Sequence, residues 1–428
     1  MHRQKINRPL AFGRRLSVVV TTSGLLAACT VGPDFVTPPS PDVSRYLPDE
    51  RPARDGRAGA AAGVVWGADV SARWWRHFNS PQLNSLVEAG IANNPDLEAA
   101  EAALRLAQTN IAVQRAALFP TLGLDFNPTR QKTSNALSAP TDTGNFLYSL
   151  HTGQVTVAFA PDIWGGTRRQ IETAQAQARA AAFQREAVFL SLTANIAAAA
   201  VLEASLRGQI AATTRIIGSQ DQLLGILRRQ HGAGQIALTD VVAQETAVAQ
   251  ARLLLPPLER ALAQQRNLLA NLTGRMPGDG VKQTFTLQSF RLPRKIPLSL
   301  PADLVRNRPD IRVAEENLRA ANAQIGVAVA NRLPQLTLTA SAGSSAASMS
   351  QLFSPGMGVW GIAGNLAQTV FDAGALAAKQ QGAEEATLQA AAQYRSTVLI
   401  AFQNVADTLR ALQSDARALN AAIAAERS

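Results

Sequence analysis

Residues 95–124 read PDLEAAEAALRLAQTNIAVQRAALFPTLGL, and residues 309–338 read PDIRVAEENLRAANAQIGVAVANRLPQLTL. At a constant offset of 214 the two passages share thirteen identities without a gap, among them Pro95/Pro309, Asp96/Asp310, Glu101/Glu315, Leu104/Leu318, Arg105/Arg319, Ile111/Ile325, Val113/Val327 and Pro120/Pro334. Prolines, charged residues and large apolar residues fix this register, so shared alanine richness does not account for it. The chain carries one structural unit twice, and its fold must use that unit twice.

Within the first copy Leu97, Leu104, Ile111 and Leu118 recur every seven residues, with Ala100 and Ala107 three places after the first two. The second copy repeats this at Ile311, Leu318 and Ile325, with Ala314 and Ala321. Large residues at one seam position and alanine at the other let neighbouring helices approach closely. A plain amphipathic helix has similar spacing; the duplication and the long helix that follows favour a coiled coil. Pro120 and Pro334 end these helices. The period then changes to two: Leu122, Leu124 and Phe126 alternate with Thr121, Gly123 and Asp125, and Val155, Val157 and Phe159 with Gln154, Thr156 and Ala158. Leu336 and Leu338, then a weaker alternation around Trp360, Ile362 and Leu366, repeat the switch. Each half therefore supplies one hairpin with one apolar face.

From about Thr167 to His231 no proline interrupts the longest helical tract. Roughly 65 residues would reach on the order of 95 Å, so the helix must draw its stability from lateral neighbours; Gly208, Gly218 and Gly225 weaken it locally. Gly232 and Gly234 signal a turn within Arg229 to Gln235, and Thr239 with Asp240 offers a helix start. A return helix runs to Leu272, bent or restarted at Pro256-Pro257, and Pro277 to Pro301 reads as a linker.

Aromatics make up 5% and charged residues 17% of the 428 residues, which favours long, closely packed helices over an aromatic-rich core. Arg3, Lys5, Arg8, Arg14 and Arg15 precede an apolar run from Leu16 to Ala28 that is too short to span a bilayer, the pattern of a signal peptide. Leu26-Ala27-Ala28-Cys29 resembles the bacterial lipobox, whose cysteine is lipidated and becomes the new N-terminus. The plainer alternative is a lone cysteine ending an ordinary signal peptide. Arg14-Arg15 lacks the rest of a twin-arginine motif. The formal charge of +10 loses five positive charges with this leader, and the mild, dispersed remainder does not imply nucleic-acid binding. One cysteine excludes a disulfide framework. The expected organisation is a signal peptide at 1–28, a lipidated N-terminus and proline-rich tether at 29–65, a first repeat at 66–275, a linker at 276–301 and a second repeat at 302–428.

Four short alternating strands on an exported chain suggest a membrane barrel. Four strands cannot close, so chains must pool them; two chains give eight strands and three give twelve, and only twelve leave a usable lumen. Beyond the leader, no uninterrupted run of 18 apolar residues competes as a helical span.

At this point the residues resemble a known family, the TolC-like outer-membrane factors of tripartite efflux systems, especially the NodT-type lipoprotein branch. The matching pieces are Cys29-Thr30-Val31-Gly32-Pro33-Asp34-Phe35, Trp74-Trp75 with Phe78, Pro81 and Leu83, Asn94-Pro95-Asp96-Leu97, Leu118-Phe119-Pro120 and Asp162-Ile163-Trp164-Gly165. The run from Leu298-Ser299-Leu300-Pro301 to Arg308-Pro309-Asp310-Ile311 is the most specific, and Val370-Phe371-Asp372-Ala373-Gly374 resembles the second strand-to-helix junction. The resemblance implies a mainly α fold with membrane β: a homotrimer whose twelve-stranded barrel sits in the outer membrane of a Gram-negative cell, continued by a coiled-coil tunnel across the periplasm. It implies an N-terminus anchored in outer-membrane lipid through palmitate on Cys29. It also implies docking of the tunnel's far end to a periplasmic adaptor (membrane fusion) protein and, through it, to an inner-membrane pump. Gly234 and Leu238, at the tip, are the candidate adaptor contacts; a turn with no partner role is the alternative. No cofactor, metal, nucleic acid or catalysis is implied. The expected function is a channel subunit passing drugs or other small molecules outward. The alternatives are a protein-secretion duct of a type I system and a shortened, non-conducting outer-membrane lipoprotein.

Setting Asn195-Ile196-Ala197 on Asn404-Val405-Ala406, an offset of 209, brings Ser428 opposite Ser219, whereas the first half continues for about 53 residues to Leu272. In the family the corresponding piece is a wall element of the lower tunnel and half of the periplasmic entrance. Either the product is shortened or the segment is not needed, and the first is the expectation.

His2, His77, His151 and His231 have no partners at metal-ligand spacing. Gly356, Gly358 and Gly361 fit GxGxxG but precede a strand, where a barrel loop explains them better than nucleotide binding. No GxSxG occurs, and an enzyme is not expected.

Overall fold

The structure is a computed structural model that describes residues 30–39, 41, 45–47, 64–66, 71–134, 147–291, 296–298 and 301–427. The leader and Cys29 lie outside the described residues. In chain order the elements are β1 (Val64–Trp66), a 3₁₀ turn (Trp74–Phe78), α1 (Pro81–Asn93), α2 (Pro95–Ala116), β2 (Thr121–Lys132), β3 (Leu147–Phe159) and α3 (Gly166–Gly232). They continue with α4 (Leu238–Leu253), α5 (Leu255–Leu272), β4 (Ile296–Leu298), α6 (Pro301–Asn307), α7 (Pro309–Ala330), β5 (Gln335–Ala346), β6 (Gly358–Ala367) and α8 (Ala375–Arg427).

The duplication extends well past the identities. Helices α2 and α7 are both 22 residues long and β2 and β5 both 12, all at the offset of 214. Thr121 pairs with Ala158 in the first hairpin and Gln335 with Ala367 in the second, so the returning strands stand 209 apart. The starts of α3 at Gly166 and α8 at Ala375 keep that 209. The five-residue change is absorbed between the strands of the hairpin. On α2 the residues withdrawn from solvent include Leu97, Ala100, Leu104, Ala107 and Ile111, the stripe set by the heptad, while Leu106 and Val113 are exposed.

The chain forms two compact units, each drawing on both copies of the repeat. One unit draws its described residues from 30–38, 106–134, 147–179 and 314–394 and holds a four-stranded antiparallel sheet in the order β2-β3-β5-β6. The other draws its described residues from within 39–105, 180–313 and 395–427. Its core gathers Trp75, Leu83, Leu86, Val87, Leu97, Ile196, Leu269 and Phe285, each such side chain contributing about 1.5–3 kcal/mol by leaving water. Ser80 caps α1 by accepting from the Leu83 amide at 3.3 Å, with Pro81 at the first helical position, as its fixed φ favours. Asn94 joins α1 to α2: its side-chain oxygen accepts from the Asp96 and Leu97 amides while its amide group donates to the Leu272 carbonyl. Gly90 leaves room for Ile196; a Cβ there would lie 2.4 Å from Ile196 Cδ1.

The stretch read as a linker contributes to this unit. Val281 and Phe285 are buried in its core, and β4 pairs in parallel with β1. Glu203, 0% exposed on α3, accepts from Arg207 at 2.8 Å and from Arg266 at 2.9 Å. Arg266 also donates to the carbonyls of Val281 and Gln283, which fastens the stretch to α3 and α5. The return helix does restart: α4 ends at Leu253 and α5 begins at Leu255, with the prolines in the first turn of α5, where their missing N–H groups are not needed. Helix α4 begins at Leu238 with Ala237 as its N-cap, one residue ahead of Thr239, the expected start. Helix α3 contains one window long and apolar enough to cross a membrane by length and composition, 44% of it buried, and Leu192, Ile196 and Ala200 of this helix pack in the core.

Candidate functional site

Strand register makes the faces of the sheet explicit. Leu122 pairs with Val157, Val157 with Ala340, and Ala340 with Ile362; one rung on, Leu124, Val155, Ala342 and Trp360 form the next row. Paired residues share a face, so one face is apolar across all four strands. The other carries Asp125, Gln154, Thr156, Ser341 and Thr339. There Thr156 donates to Asp125 at 3.0 Å, and Thr152 lies 3.0 Å from Ser345 Oγ. Leu124 is 82% and Trp360 79% exposed. An uncovered apolar face of this extent, backed by a polar one, suits hydrocarbon on one side and water on the other. Strands β2 and β6 each have one neighbour among the described residues, so the sheet is open at both edges.

Each hairpin hands the chain to a long helix through an aspartate. Asp162 accepts from the amides of Thr167 (2.9 Å) and Arg168 (3.0 Å), and Asp372 from those of Gly374 (2.9 Å) and Leu376 (2.7 Å). The Leu376 amide, above the opposing effect of desolvation, holds the Asp372 carboxyl below its ordinary pKa, as expected of a carboxylate at a helix N-terminus. Gly165 and Gly374 precede the two helices with φ of +77° and +89°, a region glycine enters without strain.

The segment after Cys29 is seated on the first junction and on α7. The Val31 amide donates to the Trp164 carbonyl (3.1 Å), and Trp164 donates its indole N–H to the Pro334 carbonyl (2.7 Å). Arg169, its side chain 5% exposed, donates to the carbonyls of Val31 and Gly32 and to the carboxylates of Asp34 and Glu172. Burial works against the charge on this guanidinium, but Glu172 and Asp34 outweigh it and raise its pKa. Asn322 donates to the Pro33 carbonyl, and Arg319 lies over the Phe35 ring. Gly326 makes this seat possible: a Cβ there would stand 2.7 Å from Arg169 Cγ and 2.8 Å from the Val31 carbonyl oxygen. The sequence motif Cys29 to Phe35 was visible, but its partners on α3 and α7 were not.

Gly234 and Leu238 fall at the turn between α3 and α4. The Gln235 amide reaches back to the Gln230 carbonyl and the Gly234 amide to that of His231, with Gly234 at φ +72°, the paired bonds of a Schellman ending. Open space surrounds Gly234, and Leu238 is 59% exposed. Behind them Leu224, Val241 and Val248 form a small buried cluster, and Arg228–Glu245 and Arg252–Asp221 pairs bridge the two helices. The turn thus presents a glycine and a leucine on a braced hairpin. Cys29 lies outside the described residues. His77 lies in the 3₁₀ turn, His151 on β3, and His231 beside the Ile236 carbonyl. Among the described residues no three His, Cys, Asp or Glu side chains are placed to share a metal. Gly356 turns the chain at φ +90° ahead of β6, which contains Gly358 and Gly361.

Residues 86–275 and 300–428 match the family described as outer membrane efflux protein. The chain is 30% identical over 403 residues to the probable efflux pump outer membrane protein TtgC of Pseudomonas putida, covering 93% of this chain and 80% of TtgC. It is 28% identical over 401 residues to nodulation protein T of Rhizobium leguminosarum bv. trifolii, covering 93% and 82%. Among solved structures the outer-membrane channel OprN superposes with a TM-score of 0.81 at 25% identity, over 93% of this chain and 86% of OprN.

Proposed function

The chain belongs to the outer membrane efflux protein family and is an efflux-channel subunit of the outer membrane; from that premise we propose that three copies pool their strands into a twelve-stranded barrel and their long helices into a periplasmic tunnel. The observation that carries this reading is the four-stranded sheet, apolar on one face, polar on the other and open along β2 and β6. Unpaired backbone groups cost several kcal/mol each in hydrocarbon, so the two edges must find each other on neighbouring copies. Eight strands would enclose a lumen filled by side chains, whereas twelve leave an aqueous path. Drugs or other small molecules are the proposed cargo, in keeping with relatives named as efflux pump proteins. The hairpin tip at Gly234 and Leu238 is the proposed contact for a periplasmic adaptor that links the channel to an inner-membrane pump. Cys29 is the proposed lipid attachment point.

Deleting the gene from its host and restoring it from a plasmid tests the reading. Sensitivity to a panel of solvents, dyes and antibiotics should rise on deletion and return to the parental level on restoration. A strain indifferent to the whole panel, together with purified protein that remains monomeric in detergent, would refute it.

A further inference from the structure

The internal repeat specifies how two copies of this chain meet. Inside one chain the strand that closes the first hairpin, β3, pairs with the strand that opens the second, β5, over nine residues from His151↔Ala346 to Phe159↔Leu338. In the barrel proposed above, the next seam of the same kind lies between chains, where β6, closing one copy's second hairpin, meets β2, opening the neighbouring copy's first. The two hairpins have identical internal registers once the offsets of 214 and 209 are applied, as Thr121↔Ala158 and Gln335↔Ala367 show. Carrying the β3–β5 register through the same offsets turns Val157↔Ala340 into Leu366 opposite Phe126. We propose that β6 pairs antiparallel with β2 of the neighbouring copy in this register, Leu366 facing the neighbouring copy's Phe126, so that the seam between subunits repeats the seam within each one.

Three physical features support the assignment. Leu366 and Phe126 belong to the apolar faces of their strands, so both faces stay continuous across the seam, whereas a slip by one residue would mix them. The register also sets Gly364, without a side chain, against the ring of Pro128, and brings Trp360 to Lys132 at the far end of the strands, where a cation can rest on an indole. Finally, following paired residues from Leu122 through Val157 to Ala340, the counterpart of Phe126, advances the chain by four residues per hairpin. Using the same step at every seam distributes the stagger of a closed barrel evenly around the ring. Slips by two residues also preserve the faces, but they break this equality.

Cross-linking distinguishes the registers. Asn127 and Asn365 fall opposite each other on the polar face, where antiparallel partners have Cα atoms about 4.5–5.5 Å apart, within disulfide reach. In one chain the same residues sit on opposite edges of the sheet, separated by three strand spacings, about 14 Å, across it and further displaced along the strands, too far to bridge. The full-length protein carrying Asn127→Cys with Asn365→Cys, purified in detergent and oxidised, should lose its monomer band to covalent dimer and trimer bands on a denaturing, non-reducing gel. Asn127→Cys paired with Ala363→Cys or with Ala367→Cys represents the two-residue slips and should remain monomeric, as should each single-cysteine variant, which controls for Cys29. Bands from either slipped pair would overturn the register and leave the trimer standing, as would native trimers in which no pair cross-links. Variants that are monomeric before denaturation and form no bands would count against the trimer itself, and with it the seam.

Discussion

Replacing Arg169 with alanine removes the side chain that ties residues 31–34 to the start of α3. The guanidinium donates to the Val31 carbonyl at 3.2 Å, the Gly32 carbonyl at 3.1 Å, Asp34 at 2.8 Å and Glu172 at 2.7 Å. The two carbonyl bonds come from a buried charged donor and contribute about 1.5 kcal/mol each at the lower end for such bonds. Asp34 is 93% exposed, so its ion pair adds roughly 0–1 kcal/mol, and Glu172 can take up water. A loss of about 3 kcal/mol corresponds to roughly a hundredfold rise in opening of the segment. Hydrogen exchange at the Val31 amide, which donates to the Trp164 carbonyl, reads this opening directly, while Asn322 and Arg319 continue to hold Pro33 and Phe35. Because the folded-state pKa of Arg169 is raised, its contribution is complete at every pH below the ordinary arginine value, so the difference should not vary with pH between mildly acid and mildly alkaline buffers. Arg169→Lys keeps the charge without the fork and should fall between the two. Exchange at Val31 within about threefold of wild type in a folded Arg169→Ala protein would refute the clamp, since a 3 kcal/mol contact cannot vanish so quietly.

Gly326→Val should release the same segment from the other side, because the Cβ position lies within 2.8 Å of Arg169 Cγ and the Val31 carbonyl oxygen; the Val31 amide should lose protection with little change in α7 helicity. Glu203→Gln removes a fully buried carboxylate facing Arg207 and Arg266; a loss of about 3 kcal/mol should lower the urea midpoint, and an unchanged midpoint would contradict the role given to this pair. Asp310 has a depressed pKa: burial opposes it, but the Arg308 fork at 3.0 and 2.6 Å prevails. Its contribution is therefore present above the ordinary aspartate range and lost as pH falls through the lower folded value. With the side chain 43% exposed the effect stays below about 1 kcal/mol, and Asp310→Asn should flatten that part of a stability-against-pH curve. Leu238→Asp should leave stability within about 0.5 kcal/mol yet reduce co-purification of the proposed adaptor, whereas Gly234→Val adds backbone strain of about 1–3 kcal/mol at its positive φ.

The duplication made the fold legible because it fixes register. Once Pro95 is set on Pro309, the helices, the strands and the faces follow from periods of seven and two. The turn at Gly234 was legible for a related reason, since a helix ending needs a residue free to adopt positive φ. What escaped was contact across long separations. Phe285 sits in a polar, proline-flanked stretch with no period, so nothing local shows that it fills the core beside Trp75 and Leu269. Arg169 reads as one more arginine at a helix start; its importance comes from Val31 and Gly32, more than 130 residues earlier. Gly326 resembles a weak point in α7 until the segment lying on it is known. Such roles depend on which surfaces the fold brings together, and single-sequence patterns encode only neighbours one or two turns away.

The two strand-to-helix junctions share their geometry and differ in company. Thr30 crowds Gly165, where a Cβ would lie 2.8 Å from Thr30 Cγ2, while Gly374 has open space around it and follows Ala373, itself at φ +54°. One copy of the repeat is braced by a strap and its twin can yield. Around the ring of three chains proposed above, stiff and compliant joints would alternate, lowering the mechanical symmetry from sixfold to threefold. Deformation of the collar beneath the barrel would then concentrate at three corners, each beside an Asp372.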